Sequence, residues 1–199
     1  MARPYEDLIN ELKRYTRLVR KQKFLQNSGL LTNRDLDFVY EIAFLSAYTS
    51  FEVFLERQFE ALLAGRPYYR NRAVGRRIVV NSERVARDVI RGTNRYPKYL
   101  PIENLEDLAK IFFTGGEPFT LLSEARKTSL RRGQIIRNYI AHRTRSTQQR
   151  FEQRVLVGIT LRPSQRNPAG FLRRPVSNQQ DRFEQMIAEL ASIAEIFVS

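Results

Sequence analysis

From Leu36 to Leu63 the chain contains no Gly and no Pro. Phe44, Tyr48, Phe51, Leu55, Phe59 and Leu62 recur there at three- and four-residue steps, which places them on one stripe of an α-helix. Val39, Ala43, Ala47 and Phe54 widen that stripe. A helix apolar over so much of its circumference has to be covered on more than one side. The segment therefore predicts a central helix with others packed around it. Thr32 stands where it can cap this helix, with Asp35 in a capping-box-like position. Gly65 and Pro67 stop it.

The flanking sequence supplies partners of the same kind. Pro4 suits the first position of a helix, and Tyr5, Leu8, Leu12, Tyr15 and Val19 form one amphipathic stripe up to Asn27, Ser28 and Gly29. Ser82 can cap a short helix through Val85, Val89 and Ile90. Leu105, Leu108, Ile111 and Phe112 suggest another, stopped at Gly115 and Gly116. After Pro118 a helical pattern runs through Leu130, Ile135, Ile136, Tyr139 and Ile140. Gly133 weakens that helix by about 1 kcal/mol relative to Ala. Residues 163–170 read as a loop, and Ser177 with Gln180 reads as the cap of a last helix through Phe183, Met186, Ile187, Leu190, Ile193, Ala194 and Phe197. The expected fold is an all-α bundle of about five to seven helices in a single domain, 1–199. An Arg-rich loop and short-helix insertion occupies the region around 66–98. A minor β-ribbon is expected if residues 155–161 (VLVGITL) pair with Ile78–Val80.

Several functions are excluded by what is missing. There is no Cys, hence no disulfide framework, thiolate zinc site or cysteine nucleophile. The single histidine, His142, excludes multi-histidine metal sites and a pair of histidines within one chain. No metal and no cofactor are expected. The opening MARPYEDLINELKRY has charges every few residues and no signal-peptide core, and no run approaches bilayer-spanning length, so a soluble, cytoplasmic chain without membrane contact is expected.

Charge is abundant and uneven. The chain has 34 Lys and Arg against 21 Asp and Glu, a net charge of +13. Residues 66–98 and 126–154 each carry +8, while 99–125 between them carry −4. Only six of the basic residues are Lys. Arg is the planar, bidentate cation suited to phosphate. If the two basic stretches meet, they form a polyanion-binding face. If they do not, they are two solvated segments.

The histidine lies in the second stretch, as Arg137-Asn138-Tyr139-Ile140-Ala141-His142. Asn138 and His142 share a helix face, and Arg137 sits about 140° away around the axis. A His with a neighbouring Arg suits metal-free cleavage of RNA. The His moves a proton at the ribose 2′-hydroxyl or the leaving 5′-oxygen. The Arg stabilises charge building on phosphorus. DNA has no 2′-hydroxyl and cannot react in this way. In a chain this rich in Arg, an Arg near the His carries little information. Asn directly after it, at the end of an amphipathic helix, makes the pattern more specific. The competing structural role is a helix-terminal His interacting with the last carbonyls.

RNYIAH resembles the R-(N)-x-x-x-H signature of the HEPN superfamily, in its RiboL-PSP-like branch. The segment SAYTSFEVFLERQFEALL (46–63), with Phe51-Glu52, resembles the long early helix of that family. The resemblance implies a helical bundle forming two-fold dimers, with the two motifs facing each other across an RNA-cleaving cleft. It implies a metal-independent endoribonuclease of a toxin–antitoxin or anti-phage system, with a cognate antitoxin or a larger defence complex as further partners. It assigns Arg137 and His142 as catalytic and Asn138 to the helix end or the substrate. A dimer would also supply a second histidine.

Supporting residues follow from charge. Arg131, Arg132, Arg143 and Arg145 flank the motif and are candidate phosphate contacts, or simply a solvated face. Arg66, Arg70, Arg72, Arg76 and Arg77, with Tyr68 and Tyr69 interleaved, are candidates for gripping single-stranded RNA, or a surface loop. Glu52 either sits exposed at the stripe edge or, if buried, needs a partner, for which Arg137 is the candidate. The alternatives are a HEPN-like module that binds RNA or nucleotides without cutting, and a basic helical DNA-binding protein.

Overall fold

The long helix expected around Leu36–Leu63 runs Asn33–Leu63 (α2) in the computed structural model, which describes residues 4–66, 74–91, 99–177 and 180–198. Seven further α-helices stand among the described residues: α1 (Pro4–Asn27), α3 (Glu83–Arg91), α4 (Ile102–Phe112), α5 (Glu124–His142), α6 (Arg145–Arg154), α7 (Pro168–Leu172) and α8 (Arg182–Ile196). The chain is all-α. Helix α2 touches α1, α3, α5, α7 and α8, which is the many-sided cover its broad apolar stripe demands. By length and hydropathy alone α2 is long and apolar enough to cross a membrane, contrary to the sequence expectation. Its large side chains Phe44, Tyr48, Phe51, Leu55 and Phe59 are fully buried against the other helices.

Phe59 is the hub at the C-terminal end of α2. Its ring stacks on Phe119 at 5.1 Å and meets Phe113 edge-on at 5.0 Å, and Phe119 in turn lies 5.1 Å from Phe197 beyond α8. Each such ring adds roughly 0.5–1.5 kcal/mol beyond its area burial. At the other end, Thr32 and Asp35 form the expected capping box: Thr32 Oγ1 accepts from the Asp35 N–H at 3.2 Å, and Asp35 Oδ2 accepts from the Thr32 N–H at 3.0 Å. Thr32→Ala is expected to destabilise by about 1 kcal/mol. In thermal denaturation this reads as a fall of about 2–4 °C.

Three local expectations change. Helix α8 is capped by Asp181 rather than Ser177. Asp181 accepts from the Glu184 N–H at 3.0 Å, from Tyr40 Oη at 2.5 Å and from Lys23 at 3.1 Å, so one buried carboxylate caps α8 and joins it to α1 and α2. Residues 163–170 hold a 3₁₀ turn (Pro163–Gln165) and the start of α7, which Asn167 caps by accepting from Gly170 N–H at 2.8 Å. The β-ribbon is absent: no strand occurs among the described residues, only the isolated bridges Arg76–Phe113 and Pro175–Asp181. Val155 and Leu156 instead finish α6, where both are buried and both donate N–H groups to the Phe151 carbonyl. Ile159 likewise donates its N–H to the Leu156 carbonyl, so local turns take up three of the N–H groups in 155–161.

Candidate active site

Gly133 explains how α5 comes to lie on α2. A Cβ at this position would sit 2.6 Å from Tyr48 Cε2, well inside contact distance. Tyr48 is fully buried, and its hydroxyl donates to the Leu130 carbonyl at 2.8 Å. The glycine that weakens the helix in isolation is therefore what lets the Tyr48 ring pass under α5 and bind its backbone.

The last turns of α5 are tied to the same face of α2 by two ion pairs. Arg137 Nη2 donates to Glu52 Oε2 at 3.1 Å, and Arg137 Nη1 donates to Asn138 Oδ1 at 3.1 Å. Arg137 and Glu52 are both half-buried. Six residues on, Arg143 pairs with Glu41, which is buried while the Arg143 side chain stays exposed. Arg143 ends α5 in the left-handed region (φ 44°), its N–H donating to the Tyr139 carbonyl at 3.0 Å. Glu41, Tyr48 and Glu52 are spaced seven and four residues apart, so they share one face of α2. His142, the final residue of α5, is exposed to solvent. Arg137 lies about 7.5 Å back along the axis and about 140° around it.

Burial holds the Glu52 carboxyl above its ordinary range, and the adjacent Arg137 charge pulls the other way. Glu41 is raised for the same first reason, opposed by Arg143 and reinforced by Asp37. The Tyr48 phenol is pushed up by burial and stays neutral as a donor. For Glu41 the folded chain binds the proton more tightly than the unfolded one. That contribution to stability is complete below the ordinary value of 4.5 and is lost as pH rises through the raised folded value. Glu41→Gln removes this dependence. Its melting temperature relative to the parent chain is expected to rise as pH increases from below the ordinary carboxyl value. Parallel pH profiles for the two proteins would contradict the assignment.

The remaining candidates separate. Arg131 pairs with Glu103 at 2.6 Å and Glu124 at 3.5 Å, Arg143 with Glu41, and Arg66 with Glu83 at 3.3 Å. Arg76 donates to the Leu63 carbonyl at 3.2 Å and lies against Gly65, closing the C-terminal end of α2. These side chains have internal anionic or carbonyl partners where the sequence suggested phosphate. Arg145, at the start of α6, and Arg77 are exposed. Arg132 is half-buried on α5. Arg70, Arg72, Tyr68 and Tyr69 lie outside the described residues. Sequence reasoning passed over Glu41 and Tyr48 as site residues. Their signal was present, because Glu41 and Glu52 bracket Tyr48 on one α2 face beside the apolar stripe.

No family model, curated protein or solved structure matches this chain. The functional reading therefore rests on the geometry of Glu41, Tyr48, Glu52, Arg137, Asn138 and His142. That geometry offers an oriented guanidinium, an exposed imidazole at a helix end, and two carboxylates that fix the helix carrying both.

Proposed function

We propose that the chain is a metal-independent endoribonuclease of HEPN type, working as a homodimer in a toxin–antitoxin or anti-phage system. The observation that supports the reading is the Arg137–Asn138–Glu52 network on α5, the helix that ends at the exposed His142. In the proposed reaction, a histidine takes the proton of a ribose 2′-hydroxyl. The O2′–P bond forms and the P–O5′ bond breaks, leaving a 2′,3′-cyclic phosphate. A second histidine gives a proton to the departing 5′-oxygen. Arg137 donates N–H groups to the phosphorus oxygens as charge builds there. Two of its nitrogens already hold Glu52 and Asn138, which fixes the plane of the fork.

One chain has one histidine, so the acid and the base come from two copies. Phe38, Ile42 and Val53 remain exposed on α2, on the side that also carries Glu52, and a second copy covering them would bring the two α5 ends together. One observation favours the non-cutting alternative: the fork of Arg137 is partly occupied by the chain's own Glu52 and Asn138. The test is incubation of the purified protein with matched RNA and DNA strands in EDTA. Cleavage of RNA and survival of DNA is the expected result. Salt-sensitive RNA binding without products would replace the enzyme by the binding module.

A further inference from the structure

Several arginines around α7 and α8 have anionic partners. Arg173 reaches Asp37 at 2.5 Å, Arg20 reaches Glu184 at 2.6 Å, and Arg143 pairs with Glu41. Arg132, Arg174 and Arg182 do not: none of them has an ion pair or side-chain hydrogen bond among the described residues. Yet the fold gathers them. The Arg182 N–H donates to the Arg174 carbonyl at 2.9 Å, and the Pro175–Asp181 bridge closes the loop between them. Arg132 sits on the turn of α5 that meets α8, since its neighbour Gly133 faces Met186, one helical turn beyond Arg182. The Arg182 guanidinium lies 4.8 Å over the Phe171 ring, and its Nε is buried without a hydrogen-bond partner. The nearby acids cannot answer, because Asp181 is held by Tyr40 and Lys23, and Glu184 by Arg20.

We propose that Arg132, Arg174 and Arg182 form a phosphate-binding site separate from the His142 end of α5. Arg132 precedes His142 by ten residues, about 15 Å along the helix. Three unpaired cations repel one another, and a buried N–H without an acceptor is unfavourable. A phosphate group removes both penalties with several acceptor oxygens for planar forks. The Phe171 face keeps one fork flat and oriented. Burial and the neighbouring Arg174 and Arg132 charges lower the proton affinity of Arg182, in keeping with three cations that share one field. Arg174 also lines an open cavity of about 630 Å³ with Thr160, Ser164 and Arg173, leaving room for the rest of a phosphorylated molecule.

The phosphate can belong to an RNA strand or to a free nucleotide, and binding assays separate the two. The probes are a 2′-O-methyl RNA that cannot be cleaved, ATP, and inorganic phosphate, each titrated against the full chain, Arg174→Gln and Arg182→Gln. Because only binding is read, loss of catalysis does not affect the outcome. Arg174 sits outside the core, so its variant keeps the test open if Arg182→Gln folds poorly. About tenfold weaker binding of RNA alone, with a salt dependence shallower by about one unit, assigns the site to the strand. Weaker binding of ATP and inorganic phosphate as well assigns it to a free phosphate ligand. Unchanged affinity for all three probes in both variants overturns the proposal.

Discussion

His142→Ala is expected to lower RNA cleavage by about 10²–10⁴-fold, the usual contribution of a positioned proton-transfer group. His142 is exposed at a helix end, so the variant should melt within a degree or two of the parent chain. Activity and stability therefore separate at this position. Arg137→Ala is expected to lose about 10²–10³-fold. It should also melt lower, because it leaves the half-buried Glu52 without its partner. Arg137→Lys should recover stability better than rate, since an ammonium keeps the charge but not the two-pronged donation to Glu52 and Asn138. Single-turnover cleavage and thermal denaturation on the same preparations decide these outcomes. A His142→Ala protein that cuts at the parent rate would remove the histidine from the chemistry.

Gly133→Leu is expected to destabilise the fold by about 3 kcal/mol, at the upper end of overpacking effects. Helix propensity alone predicts the opposite sign by about 1 kcal/mol. The difference comes from Tyr48, whose Cε2 would lie 2.6 Å from the first added carbon. The ring has nowhere to go, because it is fully buried between Phe44 and Phe51 and hydrogen-bonded to the Leu130 carbonyl. The melting temperature should fall by about 6–12 °C. Cleavage should fall as well, because the same contact sets where the end of α5 lies relative to Glu41 and Glu52. Shortening the ring with Tyr48→Leu in the same chain should return part of the loss. Additive effects of the two substitutions would show that they do not touch.

The frame of the fold was legible because its signals are periodic. The stripe from Phe44 to Leu62 and the Thr32–Asp35 box mark α2 within the chain itself, and the structure places that helix against five others. The turns around α7 and α8 were not legible in this way. Ser177 and Asp181 both have the chemistry of a cap, and the choice depends on Tyr40 and Lys23, which approach from distant elements. VLVGITL has the composition of a strand, but local turns take up the N–H groups of Val155, Leu156 and Ile159. At the candidate site, Arg137, Asn138 and His142 stood out as a motif, and the pairing of Glu52 with Arg137 was one of two open readings. Arg131, Arg143 and Arg76 looked equally fit for phosphate in one dimension. Only the three-dimensional arrangement shows that Glu103, Glu41 and the Leu63 carbonyl already occupy them.

The most direct measurement is mass spectrometry of the ends left when the protein cuts an RNA oligonucleotide in EDTA, beside the same oligonucleotide with a 2′-deoxy sugar at the cleaved position. Attack by the 2′-oxygen predicts a 2′,3′-cyclic phosphate on one fragment, a 5′-hydroxyl on the other, and no cutting at the deoxy position. Fragments carrying a 5′-phosphate and a 3′-hydroxyl, or undiminished cutting at the deoxy sugar, would contradict the role given to Arg137 and His142.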